Sequence, residues 1–489
     1  MSITSIKIIN IAGQFLNKTD MKLNTRFITV SLVTTLFCTA TLQAQPFKSV
    51  TKSKKKAPNI SVNINSAIND TLKRTYLNLG LLTNIYQLNG AGLNVVSSVV
   101  RNNVYGAQVS GLANITGNNL DGVQMSGITN VNGNNMNGVS ISGLVNITGQ
   151  NMEGSSITGG INVIGKNANG VTLGGLMNII GKNSNGIEIS GLANVTGETT
   201  NGVAIGGLMN ISGKDMQGVQ ISSLINITGD YTRGVQLSAL ANVGVDVHGV
   251  QISGLSNIAA SRLSGLQLSG AVNTTIRSEG ALQIALTNIC LQDMRGIQLG
   301  IGNYTTEMRG AQVGLINLSE GGKVKGVQIG LVNHSKDSTS AVKIGLVNIT
   351  PKTRIQMMAF GGNMTKLNVA VRFMNRISYT MLGMGTHYLG LNDKFSGSLF
   401  YRAGLYMPLI KEKLLLSGDL GYAHIENFEN ESVEVPERMY ALQGRVNLEY
   451  HPVKKFGFFA SGGYGVTRYY DRNKFYEKKP IVEFGIVLF

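Results

Sequence analysis

The chain has 489 residues, a formal charge of +16, 62 glycines, 7 prolines, two cysteines and no tryptophan. It is too long for one small core, and its basic residues are not gathered as a nucleic-acid-binding face gathers them. The balance is +8 over residues 1–58, +2 over 59–350 and +6 over 351–489, and the densest basic run, Lys52 to Lys56, reads as solvated spacer, so no nucleic-acid partner is expected.

From Met21 the segment "MKLNTRFITVSLVTTLFCTATLQAQPF" places Lys22 and Arg26 before an apolar run from Phe27 to Ala40, followed by small residues around Ala40 and Ala44. This is the layout of a secretory signal peptide over residues 1–44, with Met21 a candidate start, and a basic linker over 45–59 comes next. Cys38 follows Phe37, which makes a poor lipoprotein box. Removal of the leader leaves Cys290 alone, and no intrachain disulfide can form. Between Asn59 and Thr350 there are five Tyr and no Phe, whereas 351–489 holds eleven of each, so a boundary is expected near Thr350.

Between these limits one unit recurs. Glycines at 90, 106, 122, 138, 154, 170, 186, 202, 218 and 234 stand sixteen residues apart, and units of fourteen to sixteen continue from Gly249, Gly265, Gly280, Gly296, Gly310 and Gly326. The pattern G-V-Q-I-S-G-L-x-N-I-x-G is alternating, β-branched and bounded by glycine-rich turns. In Gly218 to Arg233, Val219 and Ile221 share one face and Gln220 and Ser222 the other; the parity then changes, and Leu224 and Asn226 share a face. A bend that keeps the apolar groups inside accounts for the change. Each unit is then one coil of a β-solenoid over residues 60–350 with coils of about sixteen residues, stable only when stacked, and about 80 Å long at the sheet spacing.

The asparagines at Asn114, Asn130, Asn146, Asn162, Asn178, Asn194, Asn210, Asn226 and Asn242, continuing from Asn257 to Asn348, form a column. Stacked amides can hydrogen-bond along it, a structural role beside a dry core. The Gln column (Gln108, Gln124, Gln220, Gln236) and the Ser column two places on (Ser110, Ser126, Ser142, Ser190) are expected to face outward. From Gly296 the units lose a residue, so that Val327, Ile329, Leu331 and Asn333 read as one unbroken face. Either these repeats cap the solenoid or they begin pairing with the aromatic C-terminal region.

After Pro351 the alternation lengthens. Tyr440, Leu442, Gly444, Val446, Leu448 and Tyr450 oppose Ala441, Gln443, Arg445, Asn447 and Glu449, in the length and aromatic ends of a membrane strand with its polar face inside. Strands are expected near 355–361, 366–374, 376–386, 395–407, 413–425, 438–450, 454–466 and 478–489, an antiparallel β-barrel of about eight strands over 351–489. The terminal "PIVEFGIVLF" resembles, through Phe489, the signature read by barrel-assembly machinery. Glu483 departs from it.

The units "GVQIGLVN" and "GVQISGLSN", set between a signal peptide and an aromatic β region, resemble the surface-repeat proteins of Bacteroidetes-type bacteria over about Gly90 to Thr350. The resemblance implies a cell-envelope role and brings no catalytic residues. If the long barrel loops face outward, the solenoid starts from the periplasm, so both the surface and the periplasm stay open for it. His248, His334, His387, His424 and His451 are scattered, and no nucleophile elbow, phosphate loop or HExxH-like motif occurs. The expected protein is all-β, exported, non-catalytic and without cofactor. It is fixed to the outer membrane and offers a repetitive polar face to a glycan or host protein; a secreted effector with a membrane-interacting C-terminal domain is the second reading. Recognition is expected in turns such as "NGNNMN".

Overall fold

Sixteen residues are too few to bury a face of their own, so each unit depends on the units stacked on either side. In the computed structural model, which describes residues 60–63, 74–336, 341–375, 377–391, 395–411, 413–428, 437–470 and 475–488, the repeats form parallel strands and the C-terminal region a closed barrel. The expected signal peptide, the basic linker and Phe489 lie outside the described residues. Among the described residues there is no α-helix.

One unit folds as a seven-residue strand, a corner and a four-residue strand, as in Met136–Ser142 and Val145–Thr148. Met152–Thr158 then lies in parallel between Met136–Ser142 and Ala168–Gly174, and Gly154 stands between Gly138 and Gly170. The repeated glycine has a steric cause. Gly218 adopts φ +124°, and a Cβ there would stand 2.1 Å from the carbonyl oxygen of Gly202 in the coil before it. Only a residue without a side chain can kink the strand there while the coils stay at sheet spacing.

The faces are reversed from the sequence expectation. Gln220, Ser222, Asn226 and Thr228 point inward and are buried, as are Gln108, Gln124, Gln236, Ser110, Ser142 and Ser190. Val219, Ile221, Ile225 and Ile227 line the outside, and Leu224 at the corner is 42% exposed. The interior is therefore mostly amide and hydroxyl, with one apolar strip from residues just before the glycine: Leu120, Met136, Met152, Met216 and Leu263. Met136 belongs to the "NGNNMN" stretch expected to be a recognition turn, yet it is a core residue.

The chain divides into two compact units, one ending at Ile276 and one running from Arg277 to Phe489. In the second, Gly296 stacks on Ala281, so that coil begins at Ala281 and not at the expected Gly280, whose own φ of +72° sets it apart. The late coils keep their corner. Val324–Ile329 and Val332–Ser335 are separate strands, with Ile329 and Leu331 exposed and Asn333 buried, so the expected unbroken face is not formed. The last coil strand, Val347–Ile349, pairs with Val332–Ser335 and adds nothing to the barrel sheet.

The barrel strands are Arg354–Gly362, Thr365–Met374, Ser378–Tyr388, Ser396–Ile410, Leu414–Asn427, Arg438–Val453, Phe456–Tyr469 and Phe475–Leu488. Each pairs antiparallel with the next, and the first closes on the last through Met357 opposite Leu488. At the end where the chain enters at Arg354, the connections are 375–377, 411–413 and 454–455. At the other end lie the two-residue connection 363–364 and three longer ones, 389–395, 428–437 and 470–474.

Candidate functional site

Two surfaces could carry function: the interior polar networks and the apolar exteriors. The Asn column is continuous. Nδ2 of Asn114 donates to Oδ1 of Asn130 at 3.0 Å, and the same bond links Asn130 to Asn146 at 3.1 Å, Asn146 to Asn162 at 3.3 Å and Asn162 to Asn178 at 2.8 Å. It continues from Asn178 to Asn194 at 2.8 Å and through Asn210, Asn226 and Asn242 at 2.9 Å each. Asn226 Nδ2 also donates to the Leu237 carbonyl at 2.8 Å, tying the corner of the next coil. All nine residues are buried, so the column is internal and offers nothing to an outside ligand.

A second ladder, not foreseen from sequence, runs through the glutamines. Gln124 Nε2 donates to Gln108 Oε1 at 3.1 Å, Gln236 to Gln220 at 3.0 Å, and Gln251 to Gln236 and Gln267 to Gln251 at 2.8 Å. Glu188 occupies this column with its carboxyl 3.1 Å from the Thr196 hydroxyl. Burial raises its pKa above the ordinary 4.5, while hydrogen bonds from Ser184 and Thr196 oppose the shift.

Outside, the solenoid has two kinds of side. After the glycine, the outward residues of the seven-residue strands, like those of the four-residue strands, are aliphatic or small, and in the first unit, from Ala107 to Ala271, these columns contain no Asp, Glu, Lys or Arg; the exposed residue just before the glycine, Asp121, Glu153 or Arg233 in three coils, belongs with the third side. The third side, built from the turns, carries Lys166, Lys182, Glu198, Lys214, Asp230 and Arg233, with an exposed ladder in which Asn151 donates to Asn135 at 3.0 Å and Asn167 to Asn151 at 2.9 Å. The Lys214–Glu198 pair at 3.2 Å is exposed and contributes little to stability.

The barrel bore is closed by ion pairs. Arg402 donates from Nη1 to Glu483 Oε2 at 2.9 Å and from Nη2 to Oε1 at 3.0 Å, while Arg445 Nε stands 3.1 Å from Glu483 Oε2. Arg372 Nη1 lies 2.7 Å from Glu449 Oε2, and His451 bonds the same carboxylate. Asp419 accepts from the Tyr379 hydroxyl at 2.6 Å and from Asn447 Nδ2 at 2.8 Å. A cavity of about 20 Å³ lined by Asn368, Tyr388, Arg402, Arg445 and Glu483 has room for one water. Glu483, read as a departure from an apolar signature, is an interior residue bound to two arginines.

The outer wall is the reverse. Leu399, Leu405, Leu442, Val446 and Phe484 are exposed, and Leu420 is 75% exposed. Tyr450 and Phe458 stand towards the short-turn end, and Tyr422, Tyr440 and Tyr470 cluster towards the long-loop end, in the arrangement of aromatic girdles. Part of this wall is covered by the last coil. Tyr401, whose neighbours Phe400 and Arg402 point inward, donates to the Gly345 carbonyl at 2.9 Å. Asn348 Nδ2 donates to Thr380 Oγ1 at 3.1 Å, and Thr353 Oγ1 to Asn375 Oδ1 at 2.8 Å.

Among the described residues, no group of three or more His, Cys, Asp or Glu side chains converges as a metal site. No protein-family model and no curated protein sequence matches the chain. Among solved structures it is similar to the N-terminal β-barrel domain of Pseudomonas aeruginosa OprF, at 13% identity and a TM-score of 0.22, over 27% of this chain and 95% of that one. A similarity of this size carries no argument about the present chain.

Proposed function

We propose that the chain is a non-catalytic outer-membrane protein in which the barrel is the anchor and the solenoid the working scaffold. The observation that supports this best is the barrel itself: eight closed strands with an apolar outer wall, aromatic bands near both ends and a bore filled by paired charges. Water outside such a wall would face uncompensated leucine and valine, whereas lipid would not. The sealed bore favours an anchor over a pore, since eight strands leave an interior that side chains fill.

By the usual rule for such barrels the short turns face the periplasm, which puts Arg354 and Leu488 on that side. A hydrophilic partner, glycan or host protein, would meet the turn side of the solenoid, where charge and sequence vary most, as in "GKNANG", "TGDYTR" and "VGVDVH". The inward Gln and Ser columns cannot serve as that face. This envelope role agrees with the resemblance of the repeats to Bacteroidetes-type surface-repeat proteins.

Membrane fractionation of the producing cell, with gel migration compared before and after heating, tests the reading. We expect the chain in the outer membrane with heat-modifiable mobility. Its release into culture fluid, without a heat-dependent shift, would replace this reading with that of a secreted effector. Protease treatment of whole cells tests the side: loss of the repeats reports surface exposure, and their survival a protected location.

A further inference from the structure

Water-soluble solenoids bury their aliphatic columns, and this one turns them outward. In the first unit, Leu112, Leu144, Leu176, Leu208, Leu224 and Leu255 form an exposed ridge at the corner between the two strand faces. Exposed or half-exposed Val, Ile, Leu and Met lie on either side of it, as at Met125, Ile187, Ile189 and Leu237 on the seven-residue strands and Ile115 and Ile225 on the four-residue strands. In the second unit the ridge is Leu286, Ile301, Leu315 and Leu331. Charged side chains gather on the remaining side. Each coil is thus a wedge in cross-section, apolar on two faces and at the edge between them, and polar on the third side.

We infer that the apolar wedge is inserted among lipid acyl chains, with the leucine ridge deepest and the turn side in water. This rests on the barrel being membrane-inserted, as proposed above, and extends membrane contact to the repeats. Two observations select lipid over a protein partner. First, the last coil is docked on the outer wall of the barrel. Tyr401 lies opposite Leu382, four residues into its strand from the short-turn end, or about 14 Å along it at the usual strand rise. The Gly345 carbonyl that Tyr401 binds is therefore level with the apolar belt, and Val342, Ile344 and Ile349 in the same coil are exposed.

Second, the apolar surface covers both strand faces and the ridge between them. A second copy laid on one face would leave the other in water, whereas a bilayer wets both. The polar interior fits this solvent: the Asn column from Asn114 to Asn242 and the glutamines from Gln220 to Gln267 find their partners within the protein, as side-chain amides do where no water is available. An amphipathic element of this kind lies in the interface plane without spanning it.

The chain has no tryptophan, so introduced single tryptophans report their own surroundings. Full-length protein carrying Leu224→Trp, Leu331→Trp, Gln217→Trp or Leu420→Trp, each checked for heat-modifiable mobility, is reconstituted in phosphatidylcholine vesicles with or without acyl-chain bromine. We expect Leu224→Trp and Leu331→Trp to lose most of their emission to the brominated lipid, as the barrel variant Leu420→Trp does. Gln217→Trp, on the turn side, is expected to be quenched only by aqueous iodide. Quenching of Leu420→Trp by bromine while both ridge variants answer only to iodide overturns the inference and leaves the anchor intact. Failure of bromine to quench Leu420→Trp overturns the membrane reading itself. Ridge variants shielded from both quenchers, in a protein of doubled mass, would assign the ridge to a second copy and overturn lipid contact.

Discussion

Asn226 holds its coil to both neighbours: it accepts from Asn210 and donates to Asn242, each at 2.9 Å, and donates to the Leu237 carbonyl at 2.8 Å. Truncating it leaves a buried donor and two buried acceptors unmatched. We predict that Asn226→Ala costs about 3 kcal/mol or more at that position, read as faster local proteolysis or hydrogen exchange around residues 210–242. Glu188 is the opposite case, a carboxyl between Thr172 and Ala204 in a column that from Gln108 to Gln267 otherwise holds Gln, Ser or Thr, with its pKa raised above 4.5 by burial. An acid raised in the folded state contributes fully below its unfolded pKa, and the contribution is lost as pH rises through the folded value. We therefore expect Glu188→Gln to stabilise the protein at neutral pH and to flatten its pH dependence above 4.5, seen in thermal melts at pH 4, 6 and 8. Equal melting of the two proteins at all three would remove Glu188 as the cause.

At the scale of strands, the barrel was legible because its alternation is long and its lengths suit a bilayer. The eight expected strands differ from those observed by a few residues at their ends. The solenoid strands are equally legible as strands, and the Asn column as a ladder, but the structure reverses the faces that the alternation suggests. The physical reason is that alternation divides residues into two sets without saying which set is inside. Val219 and Ile221 against Gln220 and Ser222 is the same pattern as Leu442 and Val446 against Gln443 and Arg445. The surroundings decide the sign, and the alternation itself does not state them. The Gln column carried the missing signal, since a sixteen-residue repeat of amides can form a ladder as well as the Asn column does. The apolar core strip was hidden because Met136 and Met216 sit in stretches that read as turns. Within the barrel, Glu483 is the residue most exposed to test. Glu483→Gln leaves Arg402 and Arg445 short of one buried negative charge, and we predict a loss of about 3–5 kcal/mol, read as a lower temperature for the heat-dependent mobility shift.

At the scale of the whole protein, the filled bore and the polar solenoid interior leave the outer surfaces of both for the proposed role. With the bore crossed by Arg372–Glu449 and Arg402–Glu483 pairs, we expect no ion conductance in planar bilayers, and steady single-channel steps would contradict the anchor reading. The reversal itself is the central claim, and nitroxide labels on cysteines introduced singly at Val219, Gln220, Ile221 and Ser222 of the reconstituted full-length protein test it directly. Cys290 is buried, its thiol pushed up to about 11 by burial, and stays unlabelled in the folded chain, and Cys38 is replaced by Ser in every variant. We predict high collision rates with oxygen at positions 219 and 221 and low rates at 220 and 222; the opposite phase would contradict it.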